Sequence, residues 1–363
     1  MKKQSLWQLM VAVVVVLSSV GFVSCSLNDD DGDSNNKGGS TVTGGDGLTT
    51  PKYEEESALY TIKSQSGDAP SIHSIELTAS GDYVVIFDDV DAGPSYVKPA
   101  NRHMKFIPVA KSTRAATLEN VVHGKYTKID ENTYHLDGWG IVTVTGSAGS
   151  AVSITVTPEG SDKPYTVTAA KQNQQPNSSL TNKICRTWSI NGMRIVIEFM
   201  GKRLFDKEYT MDQYPKQMTT DLMEWAMSMS DMFDDDDDDD YYYDDDDDDD
   251  GYYDGYLQMI EDIKPVQIIF TKAGSYMVKY ANETLAVSTW SWTDESKGIL
   301  RYSWDYTSME EWNIAGYVKV SFRGDRLLFS ESSRDKVTNS YGDDDDNYYE
   351  PNVITVYYLD EAK

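Results

Sequence analysis

The chain has 363 residues, room for two or three domains, with 39% apolar residues and a mean hydropathy of −0.52, so long polar stretches dilute its packed cores. Its formal charge of −28 excludes the basic surface that a DNA or RNA backbone requires and disfavours association with anionic lipid headgroups. Sixteen of the acidic charges, Asp231, Asp234 to Asp240, Asp244 to Asp250 and Asp254, fall in one segment free of Lys and Arg, which leaves −12 for the rest.

Residues 1–24 read as a processing signal: Lys2 and Lys3, the apolar run Leu9 to Leu17, then small residues up to Ser24. The apolar run is shorter than the roughly 20 residues of a spanning helix. "FVSC" resembles the lipobox of bacterial lipoproteins, with Phe22 where Leu is usual. The resemblance implies cleavage before Cys25 and acylation of its thiol, giving a membrane anchor rather than a span; the alternative is an ordinary secretory signal. Asp29 to Asp31, just behind it, resemble the surface-export signal of Bacteroidetes lipoproteins. That implies a lipid-anchored protein of the outer membrane, exposed at the cell surface. Residues 25–51, rich in Gly, Ser, Asn, Asp and Thr, are expected to form a flexible tether. Cys185, the other cysteine, is expected to be a small buried apolar residue.

Residues 52–171 alternate in short β-runs broken by turn residues, as in "SIHSIELTASGDYVVIF", with turns expected at Ser80-Gly81, Glu131-Asn132, Gly146 to Gly149 and Pro158 to Gly160. This predicts an all-β domain. The polar, proline-bearing residues 172–180 read as a linker. Residues 181–363 form a second β-region. It opens with "ICRTWSINGMRIVIEF", where Asn191-Gly192 predicts a hairpin turn, and continues through "VQIIFT", "SYMVKY", "TLAVSTWSW", "GILRYSWDY", "IAGYVKVSF", "RLLFSE" and "NVITVYYL". Strands joined in sequence predict an up-and-down antiparallel sheet that can close into a barrel.

One helix is expected within "TTDLMEWAMSMSDMF", where Leu222, Ala226, Met229 and Phe233 share a face and Asp221 with Glu224 has the spacing of a capping box. The acidic Asp/Tyr insertion, residues 231–256, starts where that face ends. The two β-regions also echo each other: "IELTASGDYVV" from Ile75 and "IIFTKAGSYMV" from Ile268 align without a gap and agree at Ile, Thr, Gly, Tyr and Val. Common descent and repeated hairpin chemistry both account for it.

Trp188, "FTKAGSYMVKY" and "STWSWTDESKGILRYSW" make the second region resemble the lipocalin-like domains of Bacteroidetes surface lipoproteins. The Gly-x-Trp of true lipocalins is replaced by Arg186-Thr187-Trp188, which bears on the family's ligand-binding role more than on its β-meander.

For chemistry, Asp246, Asp248, Asp250, Gly251 and Asp254 occupy positions 1, 3, 5, 6 and 9 of an EF-hand-type loop, but position 12 is Leu257 instead of a bidentate Glu. Weak, diffuse Ca²⁺ binding is the expectation. The like charges repel within the Debye length and favour a solvated segment, while Tyr241 to Tyr243, Tyr252, Tyr253 and Tyr256 supply contact surface suited to recognition. A smaller acidic segment, Asp343 to Asp346, is expected at the same end of the sheet, by counting hairpins from Asn191-Gly192. Trp290, Trp292, Tyr302 and Trp304 form an aromatic stripe that fits either a packed core or the lining of a pocket. His73, His103, His123 and His135 lack metal-ligand spacing, and no G-x-S-x-G, P-loop or GxGxxG occurs, so no catalytic residue is assigned. The sequence thus reads as a binding or interaction module held at the cell surface. The alternative is a carrier of a glycan or small apolar ligand in the second barrel, and an enzyme comes third.

Overall fold

A computed structural model of the chain describes residues 42–65, 71–88, 121–146, 151–199, 201–230, 264–303, 314–332 and 352–362. It is all-β, with two antiparallel barrels. Cys25, Trp304, the insertion at 231–256 with its candidate cation ligands Asp246, Asp248, Asp250 and Asp254, and Asp343 to Asp346 lie outside the described residues.

The first barrel is a closed eight-stranded meander: β1 (Ala58–Gln65), β2 (Ile72–Leu77), β3 (Asp82–Phe87), β4 (Val121–Asp130), β5 (Thr133–Leu136), β6 (Gly140–Thr145), β7 (Ala151–Pro158) and β8 (Tyr165–Lys171), with β8 paired back to β1. Alternation sends Ile75, Leu77, Tyr83, Val85, Ile154 and Val156 inward. After the short helix α1 (Ser179–Ile184) come β9 (Thr187–Phe199), β10 (Lys202–Thr210), helix α2 (Lys216–Ser230), β11 (Pro265–Phe270), β12 (Ser275–Tyr280), β13 (Leu285–Asp294), β14 (Ile299–Ser303), β15 (Ile314–Arg323), β16 (Arg326–Ser332) and β17 (Asn352–Glu361). β9 and β11 to β17 close the second barrel through the β9–β17 pairing.

Asn191-Gly192 is not a turn, as the sequence suggests, but lies inside β9. Its first residues pair with β11 (Thr187↔Ile269, Ser189↔Gln267) and its later ones with β10 (Gly192↔Thr210 to Phe199↔Lys202) on the same edge. Opposite, Tyr358 pairs with Gly192 and Leu359 with Ile190, so Asn191 is the extra residue of a β-bulge. A Cβ on Gly192 would stand 2.7 Å from the Tyr209 carbonyl oxygen. Glycine is there because β10 approaches, not because the chain reverses; the reversal comes at Gly201 (φ +73°). β10 and β11 therefore follow one another along the same edge of β9, and everything from Met211 to Lys264 departs between them.

Helix α2 starts earlier than the capping-box reading implies. Its apolar face gains Met218, four residues before Leu222, and with Leu222 and Ala226 this face is buried against the second core. Asp221 is consequently within the helix and caps nothing: it accepts hydrogen bonds from the Tyr209 hydroxyl (3.0 Å) and Gln217 Nε2 (2.9 Å) and pairs with Lys207 (3.0 Å).

The echo between the two β-regions is structural. β2–β3 and β11–β12 join the second and third strands of their barrels and share one hydrogen-bond pattern. Thr78 Oγ1 accepts from the Asp82 amide and Thr271 Oγ1 from the Ser275 amide, each at 3.0 Å. Gly81 and Gly274 (φ +83° and +91°) each donate to that threonine's carbonyl at 3.1 Å. Each glycine carbonyl in turn accepts from the following strand, from Tyr126 and Trp290 respectively. The two hairpins also pack together: Val84 and Ile86 on the outside of the first barrel meet Ile269, Met277, Leu285 and Val287 on the outside of the second.

Neither connecting segment is loose where it is described. In the segment predicted as linker, the Gln172 amide donates to the Leu59 carbonyl (2.8 Å) and Gln175 to the Lys272 carbonyl (2.5 Å), one bond to each barrel. The end of the predicted tether lies against the second barrel: Gly45 donates to the Gly324 carbonyl (2.8 Å), Gly47 to Asp325 (2.9 Å), and Lys183 reaches the Gly44 carbonyl (2.6 Å) and Asp46 (2.7 Å).

Candidate functional site

Three places in the second barrel bear on function: its aromatic interior and its two ends. The aromatic interior is built by alternation. β11 contributes Phe270, β12 Tyr276, β13 Trp290, β14 Tyr302, β16 Phe329 and β17 Tyr357. Their rings form a continuous set of contacts: Phe270–Trp290 at 5.6 Å and near-perpendicular, Phe270–Tyr276 at 5.2 Å, Tyr276–Tyr302 at 5.7 Å, and Phe329–Tyr357 at 6.3 Å. Trp290 and Tyr302 are each 1% exposed. A ring bordering a water-sized cavity would keep more surface, so both are core. Trp290 donates to the Thr271 carbonyl (3.2 Å), and the half-buried Trp292 reaches across to Thr181 Oγ1 of α1 (2.9 Å). The stripe thus brings Trp290 and Trp292 together, 5.3 Å apart, as part of the barrel's filling and floor.

The sequence reading missed Glu331. It follows Leu327 and Phe329 at two-residue spacing on β16, a signal that places it inward, and it is 1% exposed. Burial first, and the Glu331 carboxyl next, push the Tyr276 and Tyr357 phenols well above the usual tyrosine range. Cys185 is buried as expected, and burial raises its thiol far out of the reactive range.

The two ends differ. At one end lie the β11–β12, β13–β14 and β15–β16 turns, α1, the start of β9 and the end of β17. Residues 42–50 dock there, beside Gly298, Gly324 and Asp325. Arg186, 4% exposed, ties this end together. Its guanidinium donates to the carbonyls of Thr49 (2.8 Å), Lys183 (2.8 Å) and Asn182 (3.3 Å) and to Glu361 (2.5 Å).

Because the strands alternate, the β12–β13, β14–β15 and β16–β17 connections leave from the other end. Lys264, where the chain returns to β11, is there too: its carbonyl accepts from the Ala281 amide in the β12–β13 turn (2.8 Å). Ser332 and Asn352, both buried and bonded at 2.5 Å, close the base of the β16–β17 connection. The connection that carries Asp343 to Asp346 thus leaves from this end, and the chain that carries Asp234 to Asp250 rejoins the barrel here at Lys264; the hairpin count behind the same-end expectation started from a turn that does not exist.

Among the described residues, no group of three His, Cys, Asp or Glu side chains is placed to hold a metal ion. No helix there is long and apolar enough to cross a membrane. A scan against protein-family models finds no match to the chain, and a search of curated proteins finds none similar to it.

Proposed function

We propose that the protein is a binding or interaction module held at the outer membrane surface by a lipid on Cys25, which presents the acidic, tyrosine-bearing end of its second barrel away from the anchor. The observation that carries this reading is the docking of residues 42–50, the chain nearest the proposed anchor, at the opposite end of that barrel. Strands of ten residues, such as β15, separate the two ends by about 25 Å once barrel tilt is allowed for. A partner arriving from solution meets the acidic end first. The carrier reading is weaker, because a ligand against Trp290 and Tyr302 would have to displace rings that are 1% exposed.

The test has two arms. Cys25→Ser should abolish incorporation of a labelled fatty acid and release the protein from membranes; unchanged labelling refutes the anchor. The tether-free protein should capture a partner from medium or a glycan array, and deletion of residues 231–256 should remove that capture. Undiminished binding after the deletion refutes the acidic end as the recognition surface.

A further inference from the structure

The barrel interface contains a buried carboxyl that neither the fold nor the proposed function requires. Glu76 stands on the outward face of β2, is 3% exposed, and lies beside Ser275 and Thr271 at the β11–β12 turn of the second barrel. Its Oε1 has no hydrogen-bond partner among the described residues. In the matching hairpin the equivalent position is Ile269, a member of the apolar contact.

We propose that Glu76 is a proton-operated latch between the two barrels: protonated, it lets them close on each other, and its ionisation loosens the contact. A neutral carboxyl fits a dry interface, whereas a carboxylate there loses its hydration with Oε1 unanswered. The charged groups around it are already engaged. From the second barrel, Lys272 pairs with Glu54 at 2.6 Å and Arg186 with Glu361. From the first, Asp82 pairs with Lys125 and accepts from the Thr187 hydroxyl (2.7 Å). His123, in the same cross-strand row as Glu76, is bonded to the Glu283 carbonyl across the interface (3.0 Å), and Cys185 is held neutral by burial.

Burial is the main cause that raises Glu76 from its ordinary 4.5 to about 7, against the neighbouring Ser275 and Thr271 hydroxyls, which lower it. Because the raised value belongs to the closed state, closure is fully favoured below pH 4.5 and weakens as pH rises through 7. Between pH 5 and 8 the closed-to-open ratio should fall by roughly seventyfold.

The Thr187 amide reports on the latch because it donates across the interface to Ser80 Oγ (2.9 Å). In the full chain, hydrogen exchange corrected for intrinsic rate should show Thr187 protection falling by tens of fold from pH 5.5 to 8.5. The Ile154 amide, within the first barrel's wall, should hold steady. In Glu76→Gln the Thr187 protection should be flat with pH. An equal fall in the variant, or no fall in the parent, overturns the proposal. Should the variant fail to fold, the Glu76 carboxyl carbon is followed by NMR in the parent protein: a titration midpoint above 6 supports the latch, and one below 6 overturns it.

Discussion

Removing the Arg186 guanidinium is expected to free the docked N-terminal segment and destabilise the second barrel together. Arg186→Met keeps most of the stem but deletes the donors to Thr49, Lys183, Asn182 and Glu361. Breaking a buried ion pair costs about 3–5 kcal/mol, and each stranded carbonyl about 1–3 kcal/mol. Glu361 is 27% exposed and recovers hydration, and Thr49 regains water once the segment lifts, so the lower figure, about 3 kcal/mol, applies. For a folded body of this size that is a fall in melting temperature of about 6–12 °C. Thermal unfolding followed by circular dichroism measures it, and limited proteolysis checks the linkage: cleavage between residues 42 and 50 should accelerate under conditions where both barrels remain folded. A variant melting within about 1 °C of the parent, with unchanged protease resistance, would refute the role given to Arg186.

Gly192→Ala should weaken the β9–β10 pairing, because the added methyl would stand 2.7 Å from the Tyr209 carbonyl. A loss of about 1–3 kcal/mol in urea denaturation is expected, with faster amide exchange along β10 than along β17; equal exchange on both sides counts against the bulge. Trp290→Ala, by emptying a buried site, should cost about 3–5 kcal/mol in the same assay, and a cost below about 1 kcal/mol would mean that Trp290 borders open space.

The sequence made the strands legible because turn residues and two-residue alternation mark each of them, from "VQIIFT" to "NVITVYYL". It misplaced the reversal at Asn191-Gly192, since a hairpin and a bulge both call for a small residue between apolar runs, and what separates them here is the approach of Tyr209 from β10. The start of α2 was missed for a related reason. A capping-box spacing at Asp221 is local, while the Met218 burial that extends the helix depends on a core assembled from distant strands. Glu76 was illegible: an outward Glu between apolar residues has the pattern of a half-solvated strand, and only the second barrel takes it out of water. The docked residues 42–50 have the composition of a tether, and their fixation comes from partners such as Gly324, Asp325 and Arg186, all more than 130 positions away.

The two barrels share one strand order apart from the edge strand β10, and their matching hairpins pack against each other. In a true homodimer any residue placed on such a face appears twice and faces the same environment both times. A carboxyl at the position of Glu76 would then bury two charges at one interface, each without its apolar counterpart. Joining both barrels in one chain removes that constraint. Glu76 is set against Ile269, Asp82 against Ser275, and Val84 against Met277 in corresponding positions. The second barrel's half stays apolar at Ile269, Met277, Leu285 and Val287, with Met277 at 0% exposure, while the first barrel's half carries the buried Glu76 beside Asp82 and His123, which bond across to Thr187 and Glu283. An interface with that division of labour can respond to one proton without depending on it for assembly, and so a loosened latch leaves two intact barrels.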